Sequence, residues 1–347
     1  MDIVVTPFDA ADDVAIERGY EILADARAAE APDLPRYCRQ RFVGGFRHPM
    51  PGEEQRHALA HLDDVPVGYL TVTLPQLENL ENAQLTLAVH PGYGRRGVGR
   101  ALYGYAVRLL RDLGRKRVVA ETVSTLADPA TGTAADPASG ATPGDAFALA
   151  MGGHFALADV RRRLDVAAVD SPALDRLLDA ARLRAAGYSV VRWPDRTPEE
   201  YVDDVAYLDS RLVGDAPLGD LTWDSPVPDV ARLRGIEAGL EARGMRWYNC
   251  GVRHDATGRL VAWTMIGLAA SCDWHAYQQI TLVEPRHRGH RLGTIIKIEN
   301  LRYALEREPA LRFIDTYNAA SNTYMISINE AMGFRPVAAL HSWQATI

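Results

Sequence analysis

Cysteine is scarce in this chain. Its 347 residues include three, Cys38, Cys250 and Cys272. The number is odd and no pair has CxxC or zinc-finger spacing, which excludes a disulfide framework and a cysteine-rich metal centre. Basic charge is in deficit: 38 Lys and Arg stand against 45 Asp and Glu, a formal net charge of −7. Non-specific nucleic-acid binding needs a basic footprint, so no nucleic-acid partner is expected, although a local basic pocket for a phosphate remains compatible with this balance. No apolar run approaches the ~20 residues of a membrane span, so no membrane partner is expected. The opening MDIVVTPFDAADD has neither a basic stretch nor a long apolar one; no signal peptide is expected, and the expected location is cytoplasmic. Tryptophan is missing from the first half, and all six, from Trp193 to Trp343, lie in the second. The 47% apolar and 24% charged residues are a globular mixture, and the length suggests two domains at ~150 residues each.

What the chain does contain is a repeat. Residues 85–102 read LTLAVHPGYGRRGVGRAL and residues 279–296 read QITLVEPRHRGHRLGTII. One offset of 194 brings Gln84 to Gln278, Val89 to Val283, Pro91 to Pro285, Gly99 to Gly293 and Glu121 to Asp315. Each copy runs from a β-rich segment through V-x-P and an Arg/Gly turn into an apolar helical stretch, then a second β-like run (Arg117 to Val123; Arg312 to Tyr317). The copies also begin alike. Ile3–Phe8 and Tyr188–Trp193 are β-like and precede helical patterns, the second opened by Thr197 and Glu200 as a capping box with Pro198 at the first helical position. The expected fold class is therefore α/β, with one fold used twice: residues 1–168, an amphipathic connecting helix within 169–186 closed by Gly187, and residues 187–347. Glu121 to Phe155 spans 34 residues where Asp315 to Phe334 spans 19. The excess falls in 124–144, an Ala/Gly/Pro/Ser/Thr run that reads as a flexible insertion.

A strand, an Arg/Gly turn and a helix make an anion site, because successive backbone N–H groups and the helix N-terminus point at the ligand. Glycine lets the backbone approach closely, and arginine adds bidentate contacts to phosphate oxygens. The donors are expected from the backbone of Gly94 to Arg100 with Arg95, Arg96 and Arg100, and from Arg288 to Thr294 with Arg286, Arg288 and Arg291. Neither turn is a GxxxxGK[ST] P-loop or a dinucleotide-binding GxGxxG.

These residues resemble the GCN5-related N-acetyltransferases in tandem, actinobacterial-type form. That family's signature is Q/R-x-x-G-x-G/A after a V-x-P. Gly94-Arg95-Arg96-Gly97-Val98-Gly99 keeps both glycines and replaces the leading residue; Arg288-Gly289-His290-Arg291-Leu292-Gly293 keeps the leading Arg and has Arg291 in place of a glycine. The resemblance implies two modules, each a mixed, mostly antiparallel central sheet flanked by helices. It implies acetyl-CoA, or another acyl-CoA, without a metal, and a small-molecule primary amine as acceptor. Ala88, Val89, Leu282 and Val283 are expected beside the pantetheine, with the Val283 N–H, or Val89 in the first copy, polarising the thioester carbonyl. Asn318 to Phe334 resembles the family's N-x-x-A-x-x-x-Y-x-x-x-G-F, with Asn322 at its leading Asn and expected near the coenzyme, but Asn329 stands where a proton-donating tyrosine is usual. Leu149 stands there in the first half, so the C-terminal module is the expected catalyst.

Candidate bases are Glu284, Asp315, Asp273 and His275 in the second module and Glu81 and Glu121 in the first. Tyr324 or Tyr317 is the candidate acid. Trp223, Trp274 and Tyr277 are candidate pocket residues, while Trp247 and Trp263 read as core. His290 reads as a phosphate or solvent contact. Two alternatives stay open: a non-catalytic acyl-CoA-binding scaffold, and a transferase with a different acyl donor.

Overall fold

The computed structural model describes residues 2–347. The first half runs β1 (Ile3–Phe8), α1 (Asp13–Glu30), α2 (Arg39–Arg47), β2 (Glu53–Leu62), β3 (Val65–Pro75), β4 (Asn82–Val89), α3 (Val98–Asp112) and β5 (Arg117–Ser124). Two short strands follow, β6 (Leu126–Asp128) and β7 (Thr133–Ala134), then α4 (Pro143–Ala150) and β8 (His154–Asp165). The connector α5 (Ser171–Arg182) leads into β9 (Tyr188–Pro194), α6 (Val202–Ser210), α7 (Leu212–Asp215), α8 (Val230–Ala242), β10 (Arg246–His254), β11 (Leu260–Leu268) and β12 (His275–Val283). The chain closes with α9 (Leu292–Leu305), β13 (Phe313–Ala319), α10 (Thr323–Met332) and β14 (Arg335–Thr346).

The expected mixed α/β architecture is present, with helices on both faces of one sheet of twelve strands ordered β1-β2-β3-β4-β5-β14-β8-β13-β12-β11-β10-β9. Each half begins as an antiparallel meander of four strands, and its fifth strand pairs parallel to the fourth. The parallel pairing needs a crossover, and α3 and α9 supply it. Helix α3 buries Val98, Leu102, Ala106 and Leu110, one stripe at four-residue spacing. Helix α9 is buried almost all round, because the sheet takes one side and α5 covers another.

The closing strands are exchanged between the halves. β14, the last strand of the second half, pairs antiparallel with β5 of the first, from Ala339 opposite Ser124 to Thr346 opposite Arg117. β8, the last strand of the first half, pairs with β13 of the second, from Phe313 opposite Asp165 to Ala319 opposite Asp159. β8 and β14 also pair with each other. Side chains reinforce the junction: Asp145 of α4, fully buried, accepts from Thr122 and Ser124 of β5 and lies 3.2 Å from Nδ1 of His341 on β14.

Two local expectations need correction. The insertion at 124–144 is structured: its start belongs to β5, β6 and β7 form a small hairpin, Pro137–Ser139 form a 3-10 turn and Pro143 opens α4. Asx and Thr caps supply order that its composition hides, since Asp136 caps the 3-10 turn and Thr142 accepts the Asp145 N–H. The Thr197–Glu200 capping box is absent. A 3-10 turn begins at Glu199, Pro198 precedes it, and the Thr197 N–H donates instead to Oε1 of Glu237 on α8. Trp193 and Trp343 join Trp247 and Trp263 in the core.

Because β14 completes both halves, unfolding is expected to be a single event. Tryptophan fluorescence, which reports on the second half, and far-UV circular dichroism should give one coincident thermal transition. A chain ending at Phe334 should lose that transition altogether; two separated transitions in the full chain would show independent halves.

Candidate functional site

Parallel pairing of β4 with β5 ends at Leu85 opposite Ala120, although β4 continues to Val89 and β5 to Ser124. Pairing of β12 with β13 ends at Tyr277 opposite Asp315, with β12 continuing to Val283. Each half therefore contains a wedge between its fourth and fifth strands. Backbone direction alternates along a strand. The His90 N–H donates to Val67 on β3 and the Glu284 N–H to Val261 on β11, so the preceding N–H groups, Val89 and Val283, turn into the wedges. Ala88 and Leu282 point the other way: their side chains pack beneath α1 and α6, and their N–H groups face the neighbouring strand.

The two turns have the same backbone. Positive φ occurs at Arg95 (61°) and Gly97 (90°), and again at Gly289 (87°) and Arg291 (57°). These are the same two positions at the offset of 194, with glycine and arginine interchanged. This is the physical reason each copy departs from the family pattern once. The turn needs two left-handed residues, glycine supplies one without strain, and arginine takes the other at a cost of about 1–2 kcal/mol.

Among the described residues, nothing accepts the N–H groups of Arg95, Arg96, Gly97, Val98 and Gly99, or those of Gly289, His290, Arg291, Leu292 and Gly293. Five unpaired donors converge at the start of each crossover helix, which is the chemistry a diphosphate requires. Val98 and Leu292, each 1% exposed, anchor the turns to the cores. Gly99 sits so close to α4 that a Cβ there would lie 3.2 Å from the Phe147 ring, whereas at Gly293 it would meet Ile328 at 3.5 Å.

Other expected contacts divide. Gly94, Arg95 and Arg100 are exposed, and Arg96 lies over the Tyr93 ring at 5.2 Å. Arg286 and Arg291 are exposed. Arg288 is diverted: it pairs with Asp215 at 3.0 Å and its Nε donates to the Val283 carbonyl at 3.3 Å. Nδ1 of His290 lies 3.0 Å from the Arg184 carbonyl, so this ring docks on the connector. Thr294 is buried and its N–H donates to Arg291, so it offers no free donor. Asn322 caps α10 by accepting the Met325 N–H. Glu284 caps its own turn by accepting the Arg286 N–H, as His90 does for Gly92 in the first copy. Tyr324 is 56% exposed on the first turn of α10.

On the sheet face beneath α1 and α2, cross-strand register places Glu121 opposite Ser342, Leu340 opposite Asp159, and Arg163 opposite Asp315. Glu121 and Asp315 occupy matched positions but different environments. Asp315 is 0% exposed and holds Arg163 (Nε 2.7 Å, Nη2 2.8 Å), Arg161 (3.1 Å) and His275 (3.1 Å). Burial alone would push its carboxyl up, but the Arg163 and His275 bonds outweigh that and hold it below the usual range. Glu121 has no such partner. Glu121 is exposed at the surface; partial loss of hydration raises its carboxyl, with the Arg27 charge acting in the other direction. Asp159 is raised to about 6 by burial and by the Glu121 charge.

Of the remaining candidates, Glu81 pairs with Lys116 and Arg117 at the far end of β4. Asp273 is an exposed turn residue and His275 is committed to Asp315. Tyr277 and Tyr317 stack at 6.3 Å on the cleft face. Trp274 packs on Phe313, and Trp223 lies in the segment whose Thr222 carbonyl accepts from Asn82. Sequence reasoning missed Asp159, Arg161 and Arg163, because their proximity to the wedges depends on the strand exchange. Among the described residues no group of three His, Cys, Asp or Glu is placed to hold a metal ion, and no helix is long and apolar enough to cross a membrane.

Comparison with known proteins bears directly on this geometry. The acetyltransferase (GNAT) family pattern matches residues 16–134. A tandem GNAT protein from the clavulanic acid biosynthesis pathway, solved without acetyl-CoA, is 33% identical over 99% of this chain and 98% of its own, with a TM-score of 0.80. A GCN5-related N-acetyltransferase from Sphaerobacter thermophilus (12% identity, 99% and 95% covered, TM-score 0.62) shares the fold. So does a glucosamine N-acetyltransferase region of a fungal multi-domain GH3 β-N-acetylglucosaminidase (15%, 99% and 38%, TM-score 0.67). No curated protein matches the sequence. Two wedges, two donor-lined turns and a full-length relative with the same tandem arrangement lead to one conclusion: the chain belongs to the GNAT family of acetyltransferases, in its tandem form.

Proposed function

We propose that the protein is an N-acetyltransferase that uses acetyl-CoA to acylate a small-molecule primary amine by direct attack on the thioester, and that the chemistry runs in the N-terminal wedge. The single observation that carries this reading is the position of Glu121: the first residue of β5 beyond the last β4–β5 pair, beside the Val89 N–H wedge, and free of a cation partner. In the C-terminal module, expected from its fuller motif to be the catalyst, the sequence-matched Asp315 lies inside the parallel pairing, opposite Tyr277, and is sealed by two arginines and a histidine. A carboxylate so neutralised is a poor proton acceptor.

The coenzyme supplies an activated acyl group. The chain's own residues divide the remaining work. The N–H groups of Arg95 to Gly99 bind the diphosphate, with Arg96 and Arg100 adding charge. The Val89 N–H donates to the carbonyl oxygen on which negative charge develops, a contribution of a few kcal/mol in comparable sites. Glu121 takes one proton from the incoming ammonium, directly or through water; as the nitrogen forms its C–N bond the thioester C–S bond breaks, and the second proton released by the nitrogen goes to the departing thiolate. The C-terminal turn, with the same five free N–H groups, holds a second acyl-CoA without turning it over.

Replacing Glu121 by Gln should lower kcat/KM by roughly 10²–10⁴ in a free-thiol release assay with an amine panel. In the wild type the acid limb of kcat/KM should rise with pH through the elevated Glu121 titration, since the base works only when deprotonated. Asp159→Asn should leave that limb in place, because Glu121 gives up its proton while Asp159, raised to about 6 by burial and the Glu121 charge, is still neutral; a limb that moves with Asp159 would place the base there.

The modules can be told apart at their turns. Gly99→Glu, which sets a negative charge against the diphosphate, should abolish turnover. Gly293→Glu should halve the coenzyme stoichiometry measured by calorimetry and leave turnover in place. The opposite pattern would return catalysis to the C-terminal module.

A further inference from the structure

The acceptor side of the N-terminal wedge is built by both halves. Period-two alternation puts Glu121, Asp159, Arg161 and Tyr317 on one face of the central strands, under the C-terminal end of α1 and the start of α2. The loop between those helices is tied down, because Asp33 bonds Arg161 at 2.7 Å and Arg163 at 3.0 Å. Tyr37 of the same loop is fixed by the Tyr20 hydroxyl, which donates to its carbonyl. Two guanidinium groups flank the Tyr37 ring, Arg27 at 4.5 Å and Arg41 at 6.0 Å from its centroid.

Neither Arg27 nor Arg41 forms a salt bridge or a side-chain hydrogen bond among the described residues. Their neighbours Arg39 and Arg36 are both paired, with Glu17 and Asp25. The field of Arg27 reaches Tyr69 on β3, Glu121 on β5 and Tyr277 on β12, and that of Arg41 also reaches Tyr277. The charged groups around this pair are therefore Glu30, one turn on along α1, Glu121 on the floor, and Arg243 from α8. Two unpaired guanidinium groups held against one ring in a net-acidic protein are a preorganised anion cradle. Glu121 on the floor of the same cleft is the group that would receive the reacting amine.

We infer that the acceptor is an amine that also carries an anionic group, of the amino-acid type, with its ammonium at Glu121 and its anion on the unpaired guanidinium groups of Arg27 and Arg41 beside Tyr37. This inference rests on the N-terminal wedge being the reacting one, and it adds the substrate class. The two ends of such a molecule meet opposite charges, so the cradle fixes which nitrogen faces the thioester. A simple alkylamine would leave both guanidinium groups without a partner.

The test uses the full chain saturated with CoA and measures acceptor binding by calorimetry, with turnover recorded separately. The probes are matched pairs: lysine against cadaverine, γ-aminobutyrate against propylamine, and O-phosphoethanolamine against ethanolamine. Anionic members should bind roughly tenfold or more tightly than their partners, as expected for a charge-assisted contact. The carboxylate and phosphate pairs show which anion is preferred. In the double variant Arg27→Gln/Arg41→Gln the ratio should fall to about one, and Arg27→Lys/Arg41→Lys should restore part of it, which a merely structural role would not do. Equal binding within every pair, or a ratio unchanged in the Gln variant, overturns the inference. Preference in binding without acetyl transfer to any amine sustains it and instead overturns the catalytic reading.

Discussion

Backbone pairing across β5, β14, β8 and β13 is the interaction on which the rest of this protein depends. Each half lacks a strand that the other provides, so one sheet runs through the whole molecule. The exchange also decides the chemistry of the two wedges. β8 carries Arg161 and Arg163, and its place beside β13 delivers both cations to Asp315. β14 is the corresponding strand beside β5, and it presents Ser342 to Glu121. Reciprocal exchange of two unlike strands thus neutralises one carboxylate and leaves the other free. Removing a partner from the buried Asp315 cluster would leave an uncompensated charge, a loss typically of about 3–5 kcal/mol, so the quiet second wedge is also a structural tie.

The turns show how one backbone arises from two sequences. Two left-handed positions separated by one residue, followed by a helix, align five free N–H groups. Glycine occupies the second position in the first copy and the first in the other, and arginine fills the remaining place each time. The arginines add a cation to each donor-lined turn at a modest conformational cost, and the departure from the family pattern leaves the turn backbone unchanged. The surroundings have diverged more. The first turn is open, whereas the second is docked through His290 on the connector and has Arg288 drawn to Asp215.

The cleft beneath α1 and α2 is a consequence of the same junction. Its floor comes from strands of both halves, and Asp33 bridges its roof to β8. The N-terminal half contributes Glu121 and the Arg27–Arg41 pair around Tyr37; the C-terminal half contributes the stacked Tyr277 and Tyr317. Of the six tryptophans, Trp193, Trp247 and Trp263 are buried in the second half, while Trp343 is buried at the junction, where its Nε1 donates to Thr122 of β5.

Much of the fold was legible in the sequence because its signals are local. The offset of 194 paired the strands, turns and crossover helices of the two copies correctly, and the V-x-P and glycine positions located both donor-lined turns. β-like runs such as Ile3–Phe8 needed only their own composition to be read. Side-chain caps were less legible, since Thr197 follows a local capping pattern that Glu237, 40 residues later, overrides. Which of the two carboxylates has cation partners was beyond local reading. By motif alone the second copy looks the fuller, and nothing in the residues around Asp315 announces arginines that lie more than 150 positions earlier in the chain. The sequence by itself determined two strand-turn-helix elements with unpaired N–H groups and two carboxylates at one offset, because each depends on residues close together in the chain. Only the tertiary structure decided which carboxylate is free, because that depends on which strand lies beside it, and strand pairing is set by the burial of the entire sheet.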